Sequence, residues 1–548
     1  MPSILWRCCV NQISPLPLAG EGGAQRRERG KKSVAHRVKS DWERVSKMVL
    51  KSLFKSGYKG YLIALLAGIM LAFCFAPHAL FPLPILSLAL LLGCWLHVNR
   101  WVAFWRGFLF GLGLFGVGAS WVYVSIHDYG QTSLWIAGLI TLGFVMLLSL
   151  IPAITGYVLT RFFTVNNATK MMAAFPSLWF FFEWIKSWLF TGFPWLDVGY
   201  TQLQSPLRDY APYIGSYGLS FLVALCAGML VFAILSTGKT RYKTIAGFLV
   251  IWALAPILGL FHFTSPVGNP VRVTLIQANI PPLLKWDPEQ VNATLSHYQT
   301  VTQQHWDSQM IVWPESAIPL LHYQAQAYLE ALSREALLHK TSLVIGIPTL
   351  QNNDKLYNSL MVFGDGHGIY NKRHLVPFGE FTPQQNMLKA VMEFLEIPMA
   401  NFASGSYSQL PPVASGVKLL TLICYESAFA DLVRTFINKA ELIVTLSDDL
   451  WFGHSWAIAQ HLQMTQMRAL EIGRYALFAN NNGSSAIINA QGRIEAIAPD
   501  DAEAVISSNV QPMQGYTPWT WLGLNLTLFV MLCLLIMAGS REYDARHK

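Results

Sequence analysis

The sequence predicts a chain of two architectures: a multi-span α-helical membrane part and an α/β domain set between its last two spans. Three observations carry this. Of 548 residues, 53% are hydrophobic and 13% charged, against roughly 25% charged in a soluble domain. The deficit is local, because apolar runs of the roughly 20 residues that cross a hydrocarbon core crowd residues 60–263 and recur at 519–539. Between them, residues 264–518 switch to short β-rich runs alternating with polar, helix-like stretches, the pattern of α/β structure around a buried sheet.

In chain order, residues 1–47 stand apart. The stretch Ser14 to Gly23 and the basic Arg26-Arg27-Glu28-Arg29 have no periodicity and cannot build a core. They read as a disordered leader or an over-extended gene start, with translation expected from Met48. A membrane part over 48–263 follows, with seven spans near 60–77, 79–97, 101–125, 133–160, 171–190, 213–236 and 244–263. An eighth span and a tail occupy 519–548. Pro77, Pro82 and Pro84 compress the join between the first two spans. Lys and Arg fall in alternate loops: Lys51, Lys55 and Lys59, then Arg100, Arg161 with Lys170, Lys239 to Lys243, and Arg541 to Lys548. By the positive-inside rule both termini face the cytoplasm, and residues 264–518 lie in the periplasm of a bacterial inner membrane. The net charge of +8 therefore reads as topology, and no nucleic-acid partner is expected.

Within 264–518, strands are expected at Arg272–Gln277, Met310–Trp313, Ser342–Gly346, Leu360–Phe363, Lys418–Ile423 and Leu442–Thr445. Helices are expected around 288–307, 323–339 and 454–473. About 255 residues suffice for one full core. Three strand ends carry reactive side chains: Trp313-Pro314-Glu315-Ser316, then Tyr370 to Glu380 with Lys372, then Ile423-Cys424-Tyr425-Glu426-Ser427. Of seven cysteines, Cys424 alone lies in the long polar segment, so it is either an inert buried thiol or a nucleophile. A nucleophilic thiol, with a free pKa of roughly 8.5, needs a base, which a carboxylate such as Glu315 supplies. A lysine such as Lys372 can hold the thiolate and later an oxyanion. Glu380 and Glu426 are candidates for orienting that lysine or relaying protons. Taken singly, each of these charges reads as a solvated surface residue. His374, His454 and His461 leave a Cys-His pairing open, though none sits in a known local signature. No dinucleotide fingerprint, Walker A loop or zinc-type cysteine pattern is present.

The ordered set Glu315 in W-P-E-S, Lys372 in Y-N-K-R-H-L-V-P-F-G-E and Cys424 in I-C-Y-E-S resembles the nitrilase superfamily. Seven spans before that domain and one after it resemble its membrane-embedded branch, the apolipoprotein N-acyltransferases, over residues 48–540. The resemblance implies an αββα sandwich and a Glu315-Lys372-Cys424 triad acting by ping-pong acyl transfer without metal or cofactor. The sn-1 acyl chain of a phospholipid, expected to be phosphatidylethanolamine, would pass through a Cys424 thioester. The acceptor would be the α-amine of the diacylglyceryl-cysteine that begins an apolipoprotein. The resemblance further marks Trp286 as lining the substrate pocket, and Asn358, Glu380, Tyr425 and Glu426 as supporting positions. It implies a structural helix with paired charges over Gln466–Arg474. The chain departs from the family pattern at Ser447-Asp448-Asp449, where Ser-Asn-Asp is usual.

Two other readings stand beside it. A membrane-anchored amidase would use the same triad on a small amide, with water resolving the acyl-enzyme. A non-catalytic lipid-binding or transport scaffold would favour paired ionisable groups inside the spans, where Glu183 and Lys186 form the one close pair noted. The apolar stretch from Gln384 to Gly405 is expected to form an arm that touches lipid near the site.

Overall fold

The computed structural model describes residues 57–165, 167–351, 354–382, 401–434 and 440–547. The N-terminal extension and most of the Gln384–Gly405 arm lie outside the described residues.

The membrane part opens with α1 (Gly57–Ala72), α2 (Leu83–Trp95), α3 (Arg100–Gly118) and α4 (Leu134–Phe162). Helical turns then run from Asn167 to Lys186, with a π-turn over Lys170–Ala174 leading into α5 (Phe175–Lys186). Next come α6 (Ala211–Leu235) and α7 (Gly238–Leu258). Among the described residues, five helices are long and apolar enough to cross a membrane: α3, α4, the run Pro206–Leu235 that contains α6, α7 and the last helix, Pro518–His547. Among the described residues the helices at the first two expected spans run for 16 and 13 residues, and the first ends at Ala72, short of the expected 77. Pro82 and Pro84 start α2 afresh, since proline fits a first helical turn and not an interior.

The α/β part begins with β1 (Thr264–Pro266) and β2 (Val271–Gln277), followed by α8 (Val291–Gln303), β3 (Met310–Val312) and α9 (Gln326–Leu338). Then come β4 (Ser342–Gln351), β5 (Lys355–Gly364), β6 (Gly366–His367), β7 (Ile369–Asn371), β8 (Val413–Ala414), β9 (Val417–Ile423) and β10 (Leu442–Ser447). The chain closes with α10 (Trp456–Ile472), β11 (Ala476–Asn480), β12 (Ala486–Ile488), β13 (Ile494–Ile497), β14 (Ala504–Val510), β15 (Met513–Gly515) and α11 (Pro518–His547).

Among the described residues two large sheets form, ordered β14-β2-β3-β4-β5-β7 and β13-β12-β11-β10-β9-β8-β6, and β1 pairs with β15 in a separate two-stranded ribbon. Their centres, β2-β3-β4 and β9-β10-β11, are parallel. One apolar core lies between the sheets, joining Val273, Leu275 and Val312 of the first to Leu419, Leu422 and Val444 of the second. A second core, with Trp313, Ile345 and Leu332, fills the outer face of the first sheet under α8 and α9. Helix α10 covers the second sheet through Leu462, Ala469 and Ile472. The result is the expected αββα sandwich. Strands β11 to β15 escape the sequence reading because several are short, and β14 has one polar, exposed face.

Helix α10 also carries the join to the membrane part. Gln463 Oε1 accepts from the Ala76 N–H, and Gln460 Oε1 from Trp195 Nε1. Its two buried charges, Arg468 and Glu471, pair at 3.2 Å. Glu471 Oε1 also accepts from the Ser216 N–H at 2.6 Å, and Arg468 donates to Ser216 Oγ. That N–H is free of the helix ladder because α6 breaks at Gly215, whose φ is 67°. A Cβ there would also sit 2.8 Å from the Trp519 ring, so glycine is required twice over.

Removing one partner of a buried pair leaves the other charge uncompensated, at a cost of about 3–5 kcal/mol. Arg468→Met is therefore expected to lower the thermal unfolding midpoint of the detergent-solubilised full chain substantially. Arg468→Met with Glu471→Leu should recover part of the loss. A single variant as stable as the parent would contradict this account of the join.

Candidate active site

Each of the three motif segments follows a strand and contains a residue held in the left-handed region, which non-glycine residues enter at a cost of about 1–3 kcal/mol. Ser316 has φ 48°, Phe378 φ 63° and Cys424 φ 51°. The first turn follows β3 and lies on Gly346 of β4. A Cβ at 346 would come within 2.4 Å of the Pro314 carbonyl and 2.8 Å of Glu315 Cα, so glycine there lets Glu315 settle against the sheet. The second follows β7 and carries Lys372, Glu380 and His374. The third follows β9, where Cys424 begins a short 3-10 turn.

These turns bring Glu315, Lys372 and Cys424 together. Lys372, 1% exposed, places its Nζ 2.9 Å from Glu380 Oε1 and 3.5 Å from Glu315 Oε1. Asn358 bridges the two carboxylates, donating from Nδ2 to Glu315 Oε1 at 2.7 Å and Glu380 Oε1 at 2.9 Å. The Val376 N–H secures Glu380 Oε2. Burial opposes a charged lysine, but Glu380 and Glu315 outweigh it and raise the Lys372 pKa. Burial raises that of Glu315, Lys372 opposes this, and Glu380 and Asp448 add to the rise. The Cys424 thiol is half-buried beside both. Burial pushes it well above its ordinary value, the Glu315 anion adds to this, and Lys372 works against it. The resting site thus holds a thiol with a proton acceptor and a fixed cation beside it.

Glu426 has a different place from the one expected. Fully buried, it spends its oxygens on the N–H groups of Arg373, His374 and Ile423 and on the Tyr370 hydroxyl, not on the Lys372 ammonium. It ties the strand end before Cys424 to the segment after Lys372. Tyr425 points toward the membrane part, donating to the Gly192 carbonyl at 2.9 Å and stacking on Trp195. Trp286 is half-exposed, one residue beyond the short helix Pro282–Lys285.

No histidine bonds the thiol among the described residues. His454 is exposed and pairs with Asp501. His374 packs its ring on Phe429, and burial lowers its pKa to about 4. His461 is buried, with Nδ1 2.9 Å from Asp449 Oδ1 and Nε2 3.0 Å from the Cys424 carbonyl oxygen. Burial works against its charge, but Asp449 prevails and raises its pKa. The pair fixes the Cys424 backbone, not its sulfur. Asp449 and Lys285, whose Nζ bonds the Glu315 carbonyl, belong to this neighbourhood without having stood out in the sequence. Asp449 stands in the quoted Ser447-Asp448-Asp449 run, but neither its contacts nor those of Lys285 can be read until the fold brings them to the site.

A thiol held this high reacts slowly as a thiolate. Alkylation of Cys424 by iodoacetamide, followed by peptide mass spectrometry on the full chain, should be slow at pH 7 and still rising at pH 9.5. Lys372→Met, which removes the opposing cation, should slow it further. A plateau below pH 8 would contradict this electrostatic account.

Comparison with known proteins gives two family matches. Residues 67–229 match the family described as apolipoprotein N-acyltransferase N-terminal domain, and residues 272–516 match carbon-nitrogen hydrolase. The chain is 41% identical over 482 residues to a protein of Coxiella burnetii named apolipoprotein N-acyltransferase, covering 87% of this chain and 99% of that one. Proteins of the same name from Methylococcus capsulatus and Azotobacter vinelandii are each 40% identical. These alignments cover 85% and 86% of this chain and 93% of each relative.

Proposed function

The chain belongs to the apolipoprotein N-acyltransferase family, and from that premise we propose that Glu315, Lys372 and Cys424 carry out a two-step acyl transfer at the membrane surface. The observation that carries the assignment is Lys372, its ammonium held between the Glu315 and Glu380 carboxylates beside a lone thiol.

In the first step Glu315 takes the Cys424 proton as sulfur attacks the sn-1 ester carbonyl of a phospholipid. The carbonyl oxygen becomes an oxyanion held by Lys372. The tetrahedral intermediate expels the glycerol oxygen, which takes the proton from Glu315 and leaves as a lysophospholipid. A thioester remains on Cys424. In the second step the α-amine of a diacylglyceryl-cysteine attacks that thioester, and its proton passes to Glu315. Collapse forms the amide and expels the thiolate, which recovers the proton. Asn358 and Glu380 act by holding the other two charges in register. Tyr425 ties the nucleophile turn to the membrane part, and Trp286 borders the pocket.

Phosphatidylethanolamine is the donor this reading favours. The membrane part is assigned to 48–263 and 519–548. The domain 264–518 is assigned to the periplasmic face of the inner membrane, where both lipid-anchored substrates lie and are concentrated at the site.

Purified full chain in mixed micelles, given phosphatidylethanolamine and a diacylated lipopeptide, should yield the N-acylated lipopeptide. Glu315→Gln is expected to reduce the rate by about 10²–10⁴-fold and Lys372→Met by about 10²–10³-fold. Cys424→Ala should abolish turnover. Transfer that survives Cys424→Ala would overturn the proposal. Gly346→Ala, which displaces Glu315 without touching a reacting group, should cost on the order of 10²-fold in rate. An unchanged rate would show that the close approach at 346 does not position the base.

A further inference from the structure

Two charged side chains at the site have no part in the reaction as written. Lys285 and Asp448 are 3% and 11% exposed at their side chains, and their ammonium and carboxylate meet at 2.5 Å. They grip Glu315 at both ends. Lys285 Nζ donates to the Glu315 carbonyl at 2.9 Å. The Asp448 N–H donates to Glu315 Oε2 at 3.2 Å, on the oxygen that Asn358 and Lys372 leave free. Main chain and carboxylate of Glu315 thus meet the two residues of one ion pair, the carbonyl through the Lys285 ammonium and the carboxylate through the Asp448 backbone N–H that the pair anchors.

The pair also fixes the segment that leads to Trp286. Asn481 Nδ2 donates to the Ile280 carbonyl at 2.9 Å and to Asp448 Oδ1 at 3.3 Å, and Asn481 Oδ1 accepts from the Ile280 N–H. The chain from 280 to 286 is therefore stitched at Ile280 through Asn481 and at Lys285 through Asp448. A buried lysine or aspartate alone would be an uncompensated charge, so neither member is explained without the other.

We propose that Lys285 and Asp448 are a positioning pair for Glu315: together they hold its carboxylate at the site and dock the Trp286 segment beside it. This rests on Glu315 being the proton acceptor. The groups that face Glu315 are Lys372 and Glu380 from the turn after β7, Cys424 from the end of β9, Asp448 from the end of β10, His461 from α10 and Lys285. Asp448 bears on Glu315 as a negative charge, and Lys285 neutralises it. Losing the anion makes Glu315 ionise at lower pH. Losing the cation leaves Asp448 bare and makes Glu315 ionise at higher pH.

The test measures kcat/KM for Cys424 acylation by phosphatidylethanolamine as a function of pH, on the full chain in mixed micelles. Asp448→Asn should move the acid limb down by about one pH unit and Lys285→Met should move it up. The double variant should return it toward the parent. Lys285→Arg, which keeps the cation, should leave the limb in place, and it carries the test with Asp448→Asn if Lys285→Met does not fold. A merely structural role predicts lower rates with an unmoved limb, and that result would overturn the proposal, as would both single variants moving the limb the same way. Glu315→Gln is run beside them. If it stays fully active, the assignment of the base falls and the pair's role with it. If it is inactive while the limbs of the other variants stay fixed, only the positioning proposal fails.

Discussion

Lys372 is a buried ammonium with one carboxylate at 2.9 Å and a second at 3.5 Å. Removing an ion from water costs several kcal/mol unless opposite charge and hydrogen bonds meet it, so two anions have to be carried to the same point. Glu315 arrives from the end of one strand and Glu380 from a turn eight residues beyond the lysine. Asn358, from the neighbouring strand, donates to both and keeps them apart at a fixed spacing. With two carboxylates on one lysine the cluster keeps a negative charge. Burial raises the thiol beside it, the Glu315 anion adds to that rise against the pull of Lys372, and the carboxylate stands next to the thiol as a proton acceptor.

Around this cluster, buried polar groups hold backbone more than they meet reactants. Glu426 joins the strand before Cys424 to the segment after Lys372 through three N–H groups. The Asp449–His461 pair closes on the Cys424 carbonyl. Cys424 is thus held in a left-handed conformation from its preceding strand and from its own carbonyl, and the strain at φ 51° is sustained by buried acids. Helix α10, which supplies His461, is the same helix whose Gln460, Gln463, Arg468 and Glu471 meet the membrane part. Site geometry and membrane docking therefore share one rigid element.

Much of this was legible from residue types in order. The six expected strands and three expected helices lie where the alternation of short apolar runs with polar stretches placed them, because β2, β4, β9 and β10 are largely buried runs bounded by turns. Cys424 was singled out by its isolation, and the Lys372 segment by its length. Three things were not legible. Glu426 looked like a partner for the lysine, because an acid two residues from a nucleophile does not reveal that its oxygens face backbone. His461 looked like a partner for sulfur, because sequence cannot tell a side-chain contact from a carbonyl contact 37 residues away. Lys285 and Asp448 lie 163 residues apart: Asp448 stands out as a departure from the family pattern, but nothing in the sequence joins it to Lys285. Their pairing is a property of the folded sheet ends.

In the proposed reaction acyl groups pass through the Cys424 sulfur under the control of Glu315 and Lys372. The most direct measurement is the intact mass of the full chain after exposure to phosphatidylethanolamine vesicles with no acceptor present. The expected result is a gain of one acyl group, located on the Cys424 peptide, released by neutral hydroxylamine and discharged by a diacylated lipopeptide as its amide appears. An active preparation that carries no acyl group, or carries it on another residue, would contradict it.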